Sequence, residues 1–206
     1  MKKFVQIIAL IVSGTITCGA MAQKSKDTLR IGFADPISVV DLAYDPKPEI
    51  ALTARIVFDG LVHYDDFTGK FHPLLAKSWK RINPKTMDFE LRDDVKFHDG
   101  SEFDADDVVY TINWLISPKT RIRFKTNYIW IHKVEKLSKY KVRIHTKRPA
   151  AVGLMRLAKS ILIYPSDTHG KLKAKNTFGK KPIGTGPLRV TQVDPNKGII
   201  LVRNDD

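Results

Sequence analysis

The sequence is almost devoid of thiol chemistry: Cys18 is the only cysteine among 206 residues. With one cysteine the chain can form no internal disulfide, no multi-cysteine metal site and no structural zinc knot. Other signatures are missing as well. There is no Gly-x-Ser-x-Gly nucleophile motif and no phosphate loop, and Gly184-x-Gly186 lacks the third glycine of a dinucleotide-binding turn. None of the six histidines (His63, His72, His98, His132, His145 and His169) stands in the i, i+4 pairing with glutamate that a zinc hydrolase uses. Each reads as a surface or satisfied polar group. No catalytic residue, metal or cofactor is therefore expected. Long apolar runs are scarce too, and the one near the start, Phe4 to Val12, is too short to span a bilayer.

What the first residues do contain is a basic start, Lys2-Lys3, that short apolar core, and Ala20-Met21-Ala22. This is the layout of a secretory signal, residues 1–22, cleaved before Gln23. Cys18 lies inside it. Thr15 and Thr17 occupy the positions where a lipoprotein signal carries Leu and a small residue, so lipidation is not expected. The expected location is the periplasm.

Charge is lopsided: 35 Lys and Arg against 22 Asp and Glu, a formal +13 that falls to +11 without Lys2 and Lys3. A basic secreted module for an anionic partner is one reading of that balance. The cations scatter over turns and solvent faces, however, without the interleaved aromatics of a nucleic-acid groove, so no nucleic acid is expected. The acids do the opposite and crowd together, nine of them between Asp88 and Asp107. Asp88 and Glu90 alternate with Met87, Phe89 and Leu91 on the wet face of a strand. Asp99-Gly100 is turn chemistry. Asp104 reads as a helix N-cap, with Asp106 and Asp107 in the first turn and Phe103 and Val108 as a hydrophobic staple. A calcium loop counted from Asp104 would place Val109 at its glycine and Leu115 at its glutamate, so the cluster reads as scaffold.

The remaining pattern predicts a mixed α/β chain. Strands are expected at Leu29 to Phe33, Leu61 to Tyr64, Met87 to Phe97, Tyr128 to His132, Tyr140 to Ile144, Ile161 to Tyr164 and in a hairpin from Leu188 to Arg203. Helices are expected over Glu49 to Phe58, in one or two turns over Pro73 to Trp79, from Asp104 to Ile116, and from Pro149 to Ala158. Trp79, Trp114 and Trp130 fall on apolar faces and read as core. Lys171 to Lys181 reads as a polar link. These elements describe a secreted binding protein and leave its ligand open.

The order of motifs resembles a known family. Phe58-Asp59-Gly60-Leu61-Val62, Pro73-Leu74-Leu75-Ala76-Lys77-Ser78-Trp79, Val95-Lys96-Phe97-His98-Asp99-Gly100, Phe103-Asp104-Ala105-Asp106-Asp107-Val108 and Pro182-Ile183-Gly184-Thr185-Gly186-Pro187 are similar, in sequence order, to the peptide-type (family 5) solute-binding proteins of ABC importers. The resemblance implies an α/β, periplasmic-binding-protein-like fold of type II, the peptide-binding class. It implies residues 23–64 in a first lobe, 65–181 as an inserted α/β subdomain, and 182–206 returning to the first lobe. It also implies that this chain is an incomplete N-terminal portion, because family members carry a second lobe. The implied function is the substrate-binding component of an importer for oligopeptides, dipeptides or nickel chelates, acting as a monomer that docks on a membrane permease. By position, the loop Ala43-Tyr44-Asp45-Pro46-Lys47 matches the family loop facing bound peptide. Tyr44, Asp45 and Lys47, with Thr185 and Gly186, are the implied ligand-binding residues: Asp45 for an amine, Lys47 for a carboxylate. The residues alone fit a solvent-exposed proline turn equally well.

Overall fold

The computed structural model describes residues 29–205. The signal-peptide, cleavage and lipidation expectations lie outside those residues. From Phe33 onward the chain is one compact unit.

Helix α1, Pro48–Val57, starts with a proline whose missing N–H would have had no intrahelical partner, and Glu49 sits in its first turn. Ile50, Thr53, Ala54 and Val57 form its buried face. A hairpin follows, β1 (Val62–Asp65) paired with β2 (Lys70–Pro73). The Asp65 carboxylate closes its turn, accepting from the Phe67 N–H at 2.8 Å and the Thr68 hydroxyl at 2.6 Å.

The central element is a four-stranded antiparallel sheet. Strands β3 (Ala76–Asn83), β4 (Thr86–Leu91), β5 (Ile131–Ser138) and β6 (Lys141–Thr146) are ordered β3-β4-β6-β5. Met87 and Phe89 of β4 face Ile144 and Val142 of β6 across the ladder, and all four side chains are buried. Helix α2 (Ala105–Ile116) packs against β5 and β6 through Val108, Ile112 and Leu115. Its start is a full capping box: Asp104 accepts from the Asp106 N–H at 2.7 Å, and Asp107 accepts from the Asp104 N–H at 3.0 Å. Short helices α3 (Gly153–Lys159) and α4 (Ser166–Lys171) and the hairpin β7 (Leu188–Asp194) with β8 (Gly198–Arg203) complete the chain.

Four of the nine crowded acids are matched by cations of the β5–β6 hairpin. Lys136 reaches Asp106 at 2.7 Å, Lys139 reaches Glu102 at 2.9 Å, Lys141 reaches Glu90 at 2.5 Å, and Arg143 grips Asp88 at 2.6 and 2.8 Å. Asp88 departs from the expected wet face: it is a buried polar residue, and the Arg143 hydrogen bonds hold its carboxyl below the usual range. Such a half-covered, bidentate pair is stronger than an exposed one.

Several other expectations change. Residues 29–33 form no strand, and Leu29 and Ile31 are exposed; apolar alternation makes a strand only where another strand pairs its backbone. Pro73 to Trp79 is β structure, not helix: Pro73 ends β2, and Trp79 pairs with Phe89 of β4. Leu75 and Trp79 have helical spacing, but the ladder with β4 overrides it. Tyr128 and Trp130 precede the strand, following a 3-10 turn over Lys125–Asn127, and β5 turns Ile131 and Val134 inward in place of His132. The helix expected from Pro149 begins at Gly153. Ile161 to Tyr164 is buried but unladdered. Its backbone is satisfied by the Asp59 carbonyl, which accepts from the Ile163 N–H, and by the Thr111 hydroxyl, which exchanges hydrogen bonds with Tyr164. The lysine-rich stretch holds a 3-10 helix, Lys175–Lys180, whose Phe178 is buried. No helix among the described residues is long and apolar enough to cross a membrane.

Two substitutions separate core from cap. Phe89→Ala is expected to cost about 3–5 kcal/mol, because a fully buried ring leaves a cavity between β4 and β6. Asp104→Ala is expected to cost about 1 kcal/mol, the ordinary value of an N-cap. Urea denaturation of both variants checks the contrast; equal losses would contradict it.

Candidate functional site

Two loops flank α1, one at each end, and they carry the five expected ligand-binding residues. At the N-terminal end the chain from Asp41 to Lys47 is tied down from several sides. Asp41 is fully buried, and one carboxylate oxygen accepts from the Ala43 N–H and the Tyr164 hydroxyl, both at 3.0 Å. The Asp45 N–H donates to the Asp41 carbonyl at 2.9 Å, the Ala43 carbonyl accepts from the Arg123 N–H at 2.9 Å, and the Val40 N–H reaches the Gly179 carbonyl at 2.8 Å. The loop is thus held before any ligand arrives. Within it the Tyr44 ring leans on Trp114, centroids 6.0 Å apart, and is half-buried, as is Asp45. Lys47 is exposed and pairs with Asp35 at 3.7 Å, a contact of small energetic worth.

At the C-terminal end sits Gly184-Thr185-Gly186. Its glycines touch the last turn of α1 so closely that a Cβ on Gly184 would lie 1.9 Å from the Val57 carbonyl oxygen. The Gly186 N–H donates to that oxygen at 2.9 Å, satisfying a helix-end carbonyl. His98 clamps the loop from the other side. Its Nδ1 accepts from the Gly184 N–H at 3.2 Å, which makes Nε2 the protonated nitrogen, donating to the Gly186 carbonyl at 2.9 Å. Burial pushes the His98 imidazole below its ordinary pKa, consistent with that neutral form.

Thr185 turns away from the first loop and donates to Asp59 at 2.9 Å. Asp59, Arg92, Lys96, Thr185 and Asn204 edge a cavity of about 360 Å³. Burial raises the Asp59 pKa. The structure therefore brings Tyr44, Asp45 and Lys47 into one loop, and Thr185 and Gly186 into another. A ten-residue helix, about 15 Å long, lies between them.

The sequence reading overlooked the polar groups that position these loops. Asp41 is the main one. His169 is another: it is fully buried, its ring stacks on Tyr164 at 4.9 Å, and its Nδ1 is 2.6 Å from the Tyr110 hydroxyl. Burial pushes the His169 pKa down to about 4 and the Asp41 pKa up to about 6. No local pattern marks either residue, because their partners are distant in sequence. No group of three or more His, Cys, Asp or Glu among the described residues is placed to hold a metal ion.

The model of the Bacterial extracellular solute-binding proteins, family 5 Middle, matches residues 70–206. The chain belongs to this family. It is 30% identical over 153 residues to the HTH-type transcriptional regulator SgrR of Salmonella typhimurium, covering 74% of this chain and 26% of that protein. It is 25% identical over 228 residues to the di/tripeptide-binding protein 3 of Pseudomonas aeruginosa, covering 100% of this chain and 43% of that one. The oligopeptide-binding protein AppA of Bacillus subtilis, solved with a nonapeptide, superimposes with a TM-score of 0.79 at 26% identity, over 84% of this chain and 36% of AppA. The family 5 chain thus has the α/β fold of type II, peptide-binding periplasmic proteins and spans less than half the length of these relatives.

Two variants probe the loops. Gly184→Ala is expected to lower unfolding free energy by about 3 kcal/mol or more, since backbone lies where the methyl would go. Asp41→Asn carries a pH signature. The folded pKa of about 6 stands above the unfolded 3.8, so the folded state holds the extra proton, and this contribution is present below 3.8 and lost as pH rises through 6. Relative to wild type, Asp41→Asn should gain up to about 3 kcal/mol between pH 4 and pH 7, measured by denaturant titration at each pH. A pH-independent difference would contradict that ionisation.

Proposed function

We propose that this family 5 chain is the substrate-binding component of an ABC importer for peptides or related small solutes. The observation that carries the reading is the loop Asp41–Lys47, held in place by the buried Asp41 carboxylate, with its polar side chains at the loop surface. A fixed, partly exposed loop can offer main-chain groups to an extended peptide, giving affinity with little sequence preference. Asp45 supplies a carboxylate for a ligand amine, and Lys47 an ammonium for a ligand carboxylate. Thr185 and Gly186 serve the site indirectly, by fixing the far end of α1. The peptide-binding relatives support this class of ligand.

In this reading residues 23–64 and 182–206 belong to a first lobe, and residues 65–181 form the inserted α/β subdomain. The signal at residues 1–22 sends the protein to the periplasm, where it works as a monomer and delivers solute to a membrane permease. Closure around a ligand takes two lobes and a hinge, so this chain by itself is expected to bind weakly.

Backbone NMR on the chain tests the site. Titration with tripeptides should shift the amides of residues 41–47 saturably, with a dissociation constant above about 10 µM. Lys47→Ala should weaken binding of the free-carboxylate peptide more than that of its C-terminal amide. Submicromolar binding would overturn the need for a second lobe. Shifts produced only by heparin or DNA would replace the proposal with a basic module for polyanions. Mass spectrometry of secreted protein should find Gln23 at its N-terminus.

A further inference from the structure

A second concave surface shares no lining residue with either loop of α1. Ile129, Trp130 and Val152 form its apolar floor, Lys147, Arg148 and Arg156 stand around it, and its volume is about 550 Å³. That size and lining are those of a small-molecule site. Ile129 and Val152 are 44% and 58% exposed, so the floor offers apolar area to a ligand.

The floor is built rather than loose. The Trp130 indole N–H donates to the Asn127 carbonyl at 2.8 Å, and the Trp130 carbonyl accepts from the Lys147 N–H at 3.0 Å. The ring lies against Gly153, where an added Cβ would stand 3.0 Å from it and push the indole by a few tenths of an ångström.

The charge around this floor is of one sign. No carboxylate lines the surface. Among the described residues, none of the three cations enters an ion pair. Arg156 makes only a long hydrogen bond, 3.4 Å, to the Thr126 carbonyl. By contrast, the cations of the β5–β6 hairpin have found acids. Three like charges beside an apolar surface repel one another, and an anion there relieves that repulsion. Guanidinium forks match a carboxylate in two hydrogen bonds, while an apolar body covers the tryptophan and the aliphatic side chains.

We propose that this cavity binds a small amphiphilic carboxylate, an acid with an aryl or branched-alkyl body, at a site separate from the loop Asp41–Lys47. The test uses the whole chain and three probes: 3-phenylpropionate, its neutral amide, and inorganic phosphate. NMR follows the Trp130 indole and the amides of residues 150–153. The acid should shift these signals saturably, and the amide should bind at least about tenfold more weakly. Arg148→Gln and Arg156→Gln should each weaken the acid severalfold with unchanged circular dichroism, and Arg156→Lys, which keeps the charge but not the fork, should lose less than Arg156→Gln. Equal binding of acid and amide, indifference to both Arg→Gln variants, or no saturation by about 10 mM acid would overturn the site. Phosphate giving the same shifts as the acid would overturn the requirement for an apolar body. Because the tripeptide experiment reads residues 41–47, failure of one site is distinguishable from failure of the other.

Discussion

The close contact between Gly184-Thr185-Gly186 and the last turn of α1 is the constraint on which the placement of the other parts depends. It joins residues far apart in the chain through the Gly186 N–H and the Val57 carbonyl, at a separation that leaves no room for a Cβ. The same contact sets the β7–β8 hairpin beside α1 and aims Thr185 at Asp59. His98 locks it from the side of the β4–α2 connection, with both ring nitrogens engaged. A helix gripped at its C-terminal end is a rigid base for the loop at its N-terminal end. The distant glycines thereby help hold α1, which carries the loop Asp41–Lys47 at its other end.

Charge is distributed by the same economy of contact. An excess of cations over acids suggests a polyanion partner when only the totals are counted. In the fold, four of those cations, carried by the β5–β6 hairpin, pair with acids of β4, the β4–α2 connection and α2. Exposed pairs of this kind contribute little individually. Among the described residues Lys147, Arg148 and Arg156, around Trp130, are three of the cations that no acid meets. Burial acts on the acids in the opposite direction: Asp41 and Asp59 have raised pKa values because burial removes their carboxyls from water, whereas Asp88, gripped by Arg143, is lowered.

Local rules read much of the fold correctly. Helix α1 with its leading proline, α2 with its capping box, and the β7–β8 hairpin follow from side-chain periodicity and turn chemistry acting over a few residues. Family membership was legible as well, since the motifs carrying it are contiguous. The misreadings share a cause. Pro73 to Trp79 has helical spacing, but the pairing partner that makes it a strand is β4. Leu29 to Phe33 alternates like a strand and has no partner.

Sequence by itself determined the α/β class, the caps and turns, and the family, because each depends on residue type or short-range spacing. Tertiary structure alone decided that the five expected ligand-binding residues divide between the two ends of α1. It alone brought Asp41 to Tyr164 and His169 to Tyr110, and it alone left Lys147, Arg148 and Arg156 without acids. Those outcomes depend on which distant side chains meet once the core closes, and the free energy of such meetings is set by burial and distance, which no local stretch of sequence contains.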